Sequence, residues 1–168
     1  PLAPEGVRRT CSACPATHRI EVYGATVPSP LVALLGNEET LMDDPLARSC
    51  GRAVMGCSVS IKDADGCELP CGEVGEVVVC GTNVMKGYWN KPEQTASVLK
   101  HGGYYTGDMG YLDDDGYLFL VDRSKDMIVS GGENVYSTEV EDVLYRHPAV
   151  LEAAVVGVPD DKWGEAVY

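Results

Sequence analysis

Asp108 and Arg123 are the side chains of this sequence best suited to grip a nucleotide. Asp108 follows Gly107 in a predicted turn, and Arg123 ends an apolar run. A carboxylate can accept both hydrogens of a ribose diol. A guanidinium can reach ribose or phosphate oxygens through several donors. The same residue types in the same places also serve as plain surface, so spacing alone leaves both readings open. Ser130-Gly131-Gly132-Glu133-Asn134 carries paired glycines. They let backbone approach a ligand closely or take positive φ, and they equally make a tight turn. No Gly-x-x-x-x-Gly-Lys-Ser/Thr occurs, which excludes a P-loop cradle in this chain. No Gly-x-Ser-x-Gly hydrolase motif occurs either. His18, His101 and His147 are far apart in sequence, and His147 falls on an apolar helix face, where packing or capping is expected.

The bulk numbers narrow the partners. A formal net charge of -13 repels phosphate backbones, so nucleic acid is not expected as the partner, while one small nucleotide held by local donors is compatible. With 45% hydrophobic and 23% charged residues the chain can bury a core. No apolar run approaches the roughly 20 residues of a membrane span. Seven cysteines, Cys11, Cys14, Cys50, Cys57, Cys67, Cys71 and Cys80, are odd in number and irregular in spacing. That pattern predicts reduced thiols in a cytoplasmic protein rather than a disulfide framework. Cys11 and Cys14 form a lone Cys-x-x-Cys without the further ligands a zinc site needs. The acidic run at Asp113 lacks the ligand spacing of a calcium loop and reads as a solvated turn.

These residues need elements to hold them. A short helix is predicted over 4–14, with Pro4 near its first turn, and a strand over 19–23 running into the turn Gly24-Ala25-Thr26. Residues 28–48 show no clear period and read as loop. From 51 to 121 short strands alternate with glycine: Val59–Ile61 before a hairpin turn at Asp65-Gly66, Glu76–Cys80, and a helix opened by Pro92 over Glu93–Leu99. A second hairpin has Tyr111-Leu112 and Tyr117–Val121 flanking Asp113–Gly116. A small antiparallel sheet or distorted barrel follows from this. Beyond Asp122 the grammar changes. A strand Met127–Val129 precedes the glycine pair, and Thr138 with Glu141 suggests a capping box. Val140, Val143, Leu144 and His147 recur at helical spacing, Pro148 stops the helix, and Ala153–Val158 reads as a strand.

Together the motifs resemble the adenylate-forming superfamily, most closely its fatty-acid–CoA ligases. The residues that carry the likeness are Tyr105-Thr106-Gly107-Asp108, Asp122-Arg123-Ser124-Lys125-Asp126-Met127-Ile128 and Ser130-Gly131-Gly132-Glu133-Asn134-Val135-Tyr136. Gly72–Glu76, Gly87–Pro92, His147–Val150, Trp163–Glu165, Pro1–Glu5 and Tyr23–Thr26 agree in order, and the likeness is weakest between Val27 and Ala47. Such enzymes couple a carboxylic acid to ATP with Mg2+, release pyrophosphate, and pass the acyl group to coenzyme A. Aryl-CoA ligases and luciferases share the chemistry.

The resemblance implies an α+β chain. Residues 1–121 would end a large adenylation domain, with 1–50 an α/β remnant and 51–121 a β-barrel subdomain. Residues 122–126 would be the hinge, and 127–168 the start of a small C-terminal lid. It also implies roles. Tyr23, Gly24, Thr26, Asp108, Leu120 and Arg123 would contact the nucleotide, with Asp108 and Arg123 on the ribose diol and Leu120 against adenine. Lys125 would sit at the hinge and, with Thr26, serve catalysis. Gly131 and Gly132 would line the pantetheine tunnel, with Trp163 and Gly164 near coenzyme A. Where the family carries a Mg2+-binding Glu after the Thr, this chain has Val27. The family's phosphate loop falls upstream and its catalytic Lys downstream of these residues. The chain is therefore expected to be an internal piece, inactive in adenylation by itself; its oligomeric state is left open.

Overall fold

The computed structural model describes residues 12–15, 17–36, 45–147 and 149–168. They form a mixed α+β chain dominated by antiparallel sheet. The predicted helix over 4–14 lies outside the described residues except at its end. The chain divides into two units. One holds Pro1–Thr106 and Gly110–Leu120, the other Gly107–Met109 and Val121–Tyr168.

In the first unit, β1 (Glu21–Tyr23), β2 (Ala33–Leu35) and β3 (Arg52–Ala53) make a three-stranded antiparallel sheet. The loop expected over 28–48 is corrected here: it contains β2 and a 3-10 turn at Pro45–Arg48. In β2 Ala33 and Leu35 are buried and Leu34 is half-buried, but three residues within an unbroken apolar run leave no period to read in the sequence.

The larger sheet is built by β4 (Cys57–Lys62), β5 (Gly75–Gly81), β6 (Leu99–Lys100), β7 (Gly103–Leu112) and β8 (Leu118–Arg123). Strands β4 and β5 pair from Cys57↔Gly81 to Lys62↔Glu76. The Asp65-Gly66 turn forms, with Gly66 N–H donating to the Asp63 carbonyl at 3.1 Å. Its returning arm is only the bridge Lys62↔Glu68. Helix α1 (Pro92–Val98) opens on its proline, as predicted. The second hairpin also forms, and the Asp113 carboxylate accepts from Asp115 N (3.0 Å) and Tyr117 N (2.8 Å), a turn held by its own side chain. One core joins both sheets of this unit: Val27, Val32, Ala33, Cys50, Ile61, Val77, Val79, Tyr104 and Leu118. Each large aliphatic side chain buried there contributes about 1.5–3 kcal/mol.

In the second unit, β9 (Ile128–Ser130), β10 (Glu133–Val135), β11 (Gly157–Asp160) and β12 (Gly164–Val167) form a sheet in the order β10-β9-β12-β11. Helix α2 spans Ser137–Tyr145. Three expectations are corrected here. Thr138 and Glu141 make no capping box, since the Thr138 hydroxyl donates to the Val121 carbonyl and Glu141 accepts from Val155 N at 2.9 Å. The strand expected at Ala153–Val158 begins only at Gly157. Val143 and Leu144, expected on a buried face, are exposed. Pro148 lies outside the described residues, and the helix has already ended at Tyr145. No helix among the described residues is long and apolar enough to cross a membrane.

Candidate active site

The turn after β1 is shaped by close backbone approach. A Cβ at Gly24 would lie 1.6 Å from the Pro30 carbonyl oxygen, so only glycine lets residue 30 pass. Tyr23 accepts from Val32 N at 2.9 Å through its carbonyl, and its ring packs on the core of the first unit. Leu120 packs on the same core, from β8. Thr26 is exposed. Val27, one residue on, is only 9% exposed and belongs to that core, with its carbonyl accepting from Met85 N at 3.0 Å. The side chain at the position of the expected Mg2+-binding Glu is thus an apolar packing group. Among the described residues no three His, Cys, Asp or Glu side chains stand close enough to hold a metal ion.

In the second unit Asp108 and Arg123 come together, from β7 and β8. Arg123 Nε lies 3.5 Å from Asp108 Oδ1; the guanidinium is mostly exposed and the carboxylate mostly covered. Ser124 N–H donates to the Gly107 carbonyl at 2.8 Å, tying the end of β8, where Arg123 stands, to the middle of β7 beside Asp108. A carboxylate and an outward guanidinium so paired present acceptors and donors to a diol or an anion.

Lys125 is exposed in the turn between β8 and β9. The Asp122 carboxylate beside it accepts from Ser137 N (2.7 Å), Ser137 Oγ (2.9 Å) and Arg123 N (2.8 Å). Asp122 thereby caps α2 from 15 residues upstream. Sequence reading missed this role, because a cap normally sits beside its helix and the local candidates were Thr138 and Glu141.

Gly131 and Gly132 both take positive φ, 62° and 88°. Gly131 N–H donates to the Trp163 carbonyl at 2.8 Å, and a Cβ at Gly131 would lie 2.9 Å from the Trp163 ring. The indole thus lies flush on the glycine backbone, with Lys162 Nζ 4.5 Å from its centre. Ser130, Val135, Trp163, Ala166 and Val167 line an open, largely apolar cavity of about 430 Å3. Gly164 starts β12, and Glu165 accepts from Val129 N at 2.7 Å, tying β12 to β9. Sequence reading gave Glu165 no such part. His147, expected to pack or cap, is exposed, and its Nδ1 accepts from Ala149 N at 3.2 Å.

The first unit thus holds a glycine-shaped turn, and the second holds a carboxylate–guanidinium pair and a glycine loop beside an apolar cavity, in an α+β chain. The profile of the AMP-binding enzyme family matches residues 1–89, and that of the AMP-binding enzyme C-terminal domain matches residues 139–168. The chain belongs to the AMP-binding enzyme family. It is 46% identical over 146 residues to a feruloyl-CoA synthase of Amycolatopsis sp, covering 87% of this chain and 29% of that one. It is 49% identical over 147 residues to the medium/long-chain-fatty-acid–CoA ligase FadD8 of Mycobacterium tuberculosis, covering 88% and 25%. The structure of O-succinylbenzoate coenzyme A synthetase from Bacillus subtilis, in complex with ATP and a magnesium ion, superposes with a TM-score of 0.84. It shares 37% identity and covers 98% of this chain and 33% of that one. The chain spans under a third of the length of the relatives it matches.

Proposed function

We propose that this chain is part of an ATP-dependent carboxylic acid–CoA ligase, which adenylates an acid and then transfers the acyl group to coenzyme A. The Asp108–Arg123 pair carries the reading: it offers a ribose diol two acceptor oxygens and several donors from adjoining strands. Tyr23, Gly24, Thr26 and Leu120 would complete the nucleotide contacts. Gly132, with open space where a Cβ would stand, would leave room for a thin pantetheine arm, and Gly131 would seat the Trp163 ring beside it, with Gly164 next in line. Lys125 would lie at the pivot on which a C-terminal lid, residues 127–168, exchanges one half-reaction for the other, and 1–121 would belong to the larger domain.

The residues present fit AMP and coenzyme A but not Mg2+, because Val27 is apolar and packed. No metal-dependent step is assigned to them. The acid is a fatty acid or an aryl acid; relatives named for each kind match at 49% and 46% identity. Cys14, Cys50, Cys57, Cys67, Cys71 and Cys80 form no disulfide, which favours a cytoplasmic protein. The net charge of -13 favours small-molecule substrates over nucleic acid. A second reading, a homologue that keeps the fold without the catalysis, is favoured by Val27 alone.

The test is acid-dependent ATP–pyrophosphate exchange, followed by thioester formation with coenzyme A, in the protein at the full length of its relatives. Exchange with either a fatty or an aryl acid, weakened roughly 10- to 100-fold in Asp108→Ala, is the expected result. Absence of exchange with intact nucleotide binding would establish the second reading instead.

A further inference from the structure

Asn83 lies in the turn after β5, far in sequence from the Tyr23–Val27 motif. Its Nδ2 donates two hydrogen bonds, to the carbonyls of Pro28 and Leu31, each at 2.9 Å. These carbonyls bracket the loop that follows the motif. Ser29, between them, has φ of 35°, a left-handed conformation that a non-glycine residue keeps only when its surroundings impose it. Two neighbours complete the hold: Met85 N–H reaches the Val27 carbonyl, and the Gly24 backbone presses on Pro30.

The orientation of the amide follows from its surroundings. Reversing it would aim Oδ1 at two carbonyl oxygens, so the nitrogen must face the loop. Oδ1 is consequently buried without a hydrogen-bond partner. A protein that leaves an acceptor unsatisfied here is using the two donors for something specific, since the lone oxygen itself costs stability.

We infer that Asn83 is the positioning residue for the nucleotide-facing turn: by fixing Pro28 and Leu31 it sets the backbone angle at which Tyr23, Gly24 and Thr26 meet ATP. The inference rests on the proposed ligase function. Asn83 touches no substrate and acts through the turn, in the way that supporting groups hold a binding constellation to its geometry.

The test uses the full-length protein and three variants, Asn83→Ala, Asn83→Ser and Asn83→Asp, with KM measured separately for ATP, acid and coenzyme A. Asn83→Ala should raise KM for ATP about tenfold and leave KM for coenzyme A within about twofold. Asn83→Ser keeps one donor and should fall between. Asn83→Asp can donate one O–H only while protonated. Its ATP dependence should therefore worsen as pH rises through the carboxyl range, whereas the wild type shows no such step there. If all three constants shift together, or only the melting temperature falls, Asn83 is a plain structural tie and the inference is overturned. Should Asn83→Ala fail to fold, the Asn83→Asp pH profile decides: a KM for ATP that does not change with pH overturns it. A wild type that neither turns over nor binds ATP overturns the ligase function and this inference together. Unchanged KM for ATP in an active, folded Asn83→Ala overturns this inference alone.

Discussion

Removing the Asp122 carboxylate should loosen helix α2, although the two are 15 residues apart in sequence. In Asp122→Ala the Ser137 N–H and hydroxyl lose their acceptor, at 2.7 and 2.9 Å, and Arg123 N loses a third contact. Loss of an N-cap costs about 0.5–2 kcal/mol, and a buried donor left unpaired costs about 1–3 kcal/mol. Ser137 is 7% exposed, so water recovers little of this. The two figures describe overlapping bonds and are not summed; about 2 kcal/mol is the expected loss, with a smaller part from the negative charge near the helix N-terminus. Native-state hydrogen exchange reads it directly. Amides of Val140–Leu144 should exchange roughly thirtyfold faster, the equivalent of about 2 kcal/mol, while Val77–Val79 in the first unit stay unchanged. Asp122→Asn keeps one accepting oxygen and should show an intermediate effect. Exchange in α2 within about threefold of wild type would refute the assignment of Asp122 as its cap.

Three further outcomes follow from the same structure. Val27→Glu should destabilise the first unit by roughly 3 kcal/mol or more, because it places a carboxylate in an apolar core without a partner; chemical denaturation measures this. Burial pushes the Cys57 thiol up, and Cys80 adds to the shift. Cys57 should therefore alkylate more slowly than exposed Cys67 and Cys71 at pH 8. The sign for stability is fixed by the raised value: Cys57's contribution is complete below about pH 8.5, and above that the unfolded thiol ionises first and stability falls. Replacing Cys57 with Ala should flatten that alkaline decline in a denaturant titration. Gly131→Ala should push the Trp163 ring away by its clash at 2.9 Å and add strain at positive φ; the expected readout is a red-shifted tryptophan emission.

Much of the fold was legible because its signals are local. Pro92 opened its helix, Asp113 closed its turn, and Glu76–Cys80 read as a strand from its valines, within the observed Gly75–Gly81. What failed was long-range. Strand β2 is three residues of an unbroken apolar run, recognisable only once β1 and β3 are seen to pair on its two edges. The capping box was the right local grammar for the wrong partners: Thr138 and Glu141 bond to Val121 and Val155, and the cap arrives from Asp122. Val143 and Leu144 kept helical spacing, but periodicity cannot say what, if anything, covers a face. Asp108 and Arg123 were singled out by residue type, and the structure brings them together. Asn83 was not, since a single amide in a turn carries no spacing to read.

The same distinction bears on Val27. A substitution of this kind in a solvent-facing ligand position would leave an idle apolar side chain at the surface, and nothing around it would have changed. Here the side chain is nine-tenths covered and shares a core with Tyr23 and Leu120, two residues assigned to the nucleotide. The valine is therefore coupled to the turn it sits in by packing beneath it. Together with Asn83 from one side and Gly24 from the other, it makes the turn rigid by burial and hydrogen bonding among its own neighbours. A Glu at position 27 would remove this packing, so the backbone of the turn would lose support from the core beneath it.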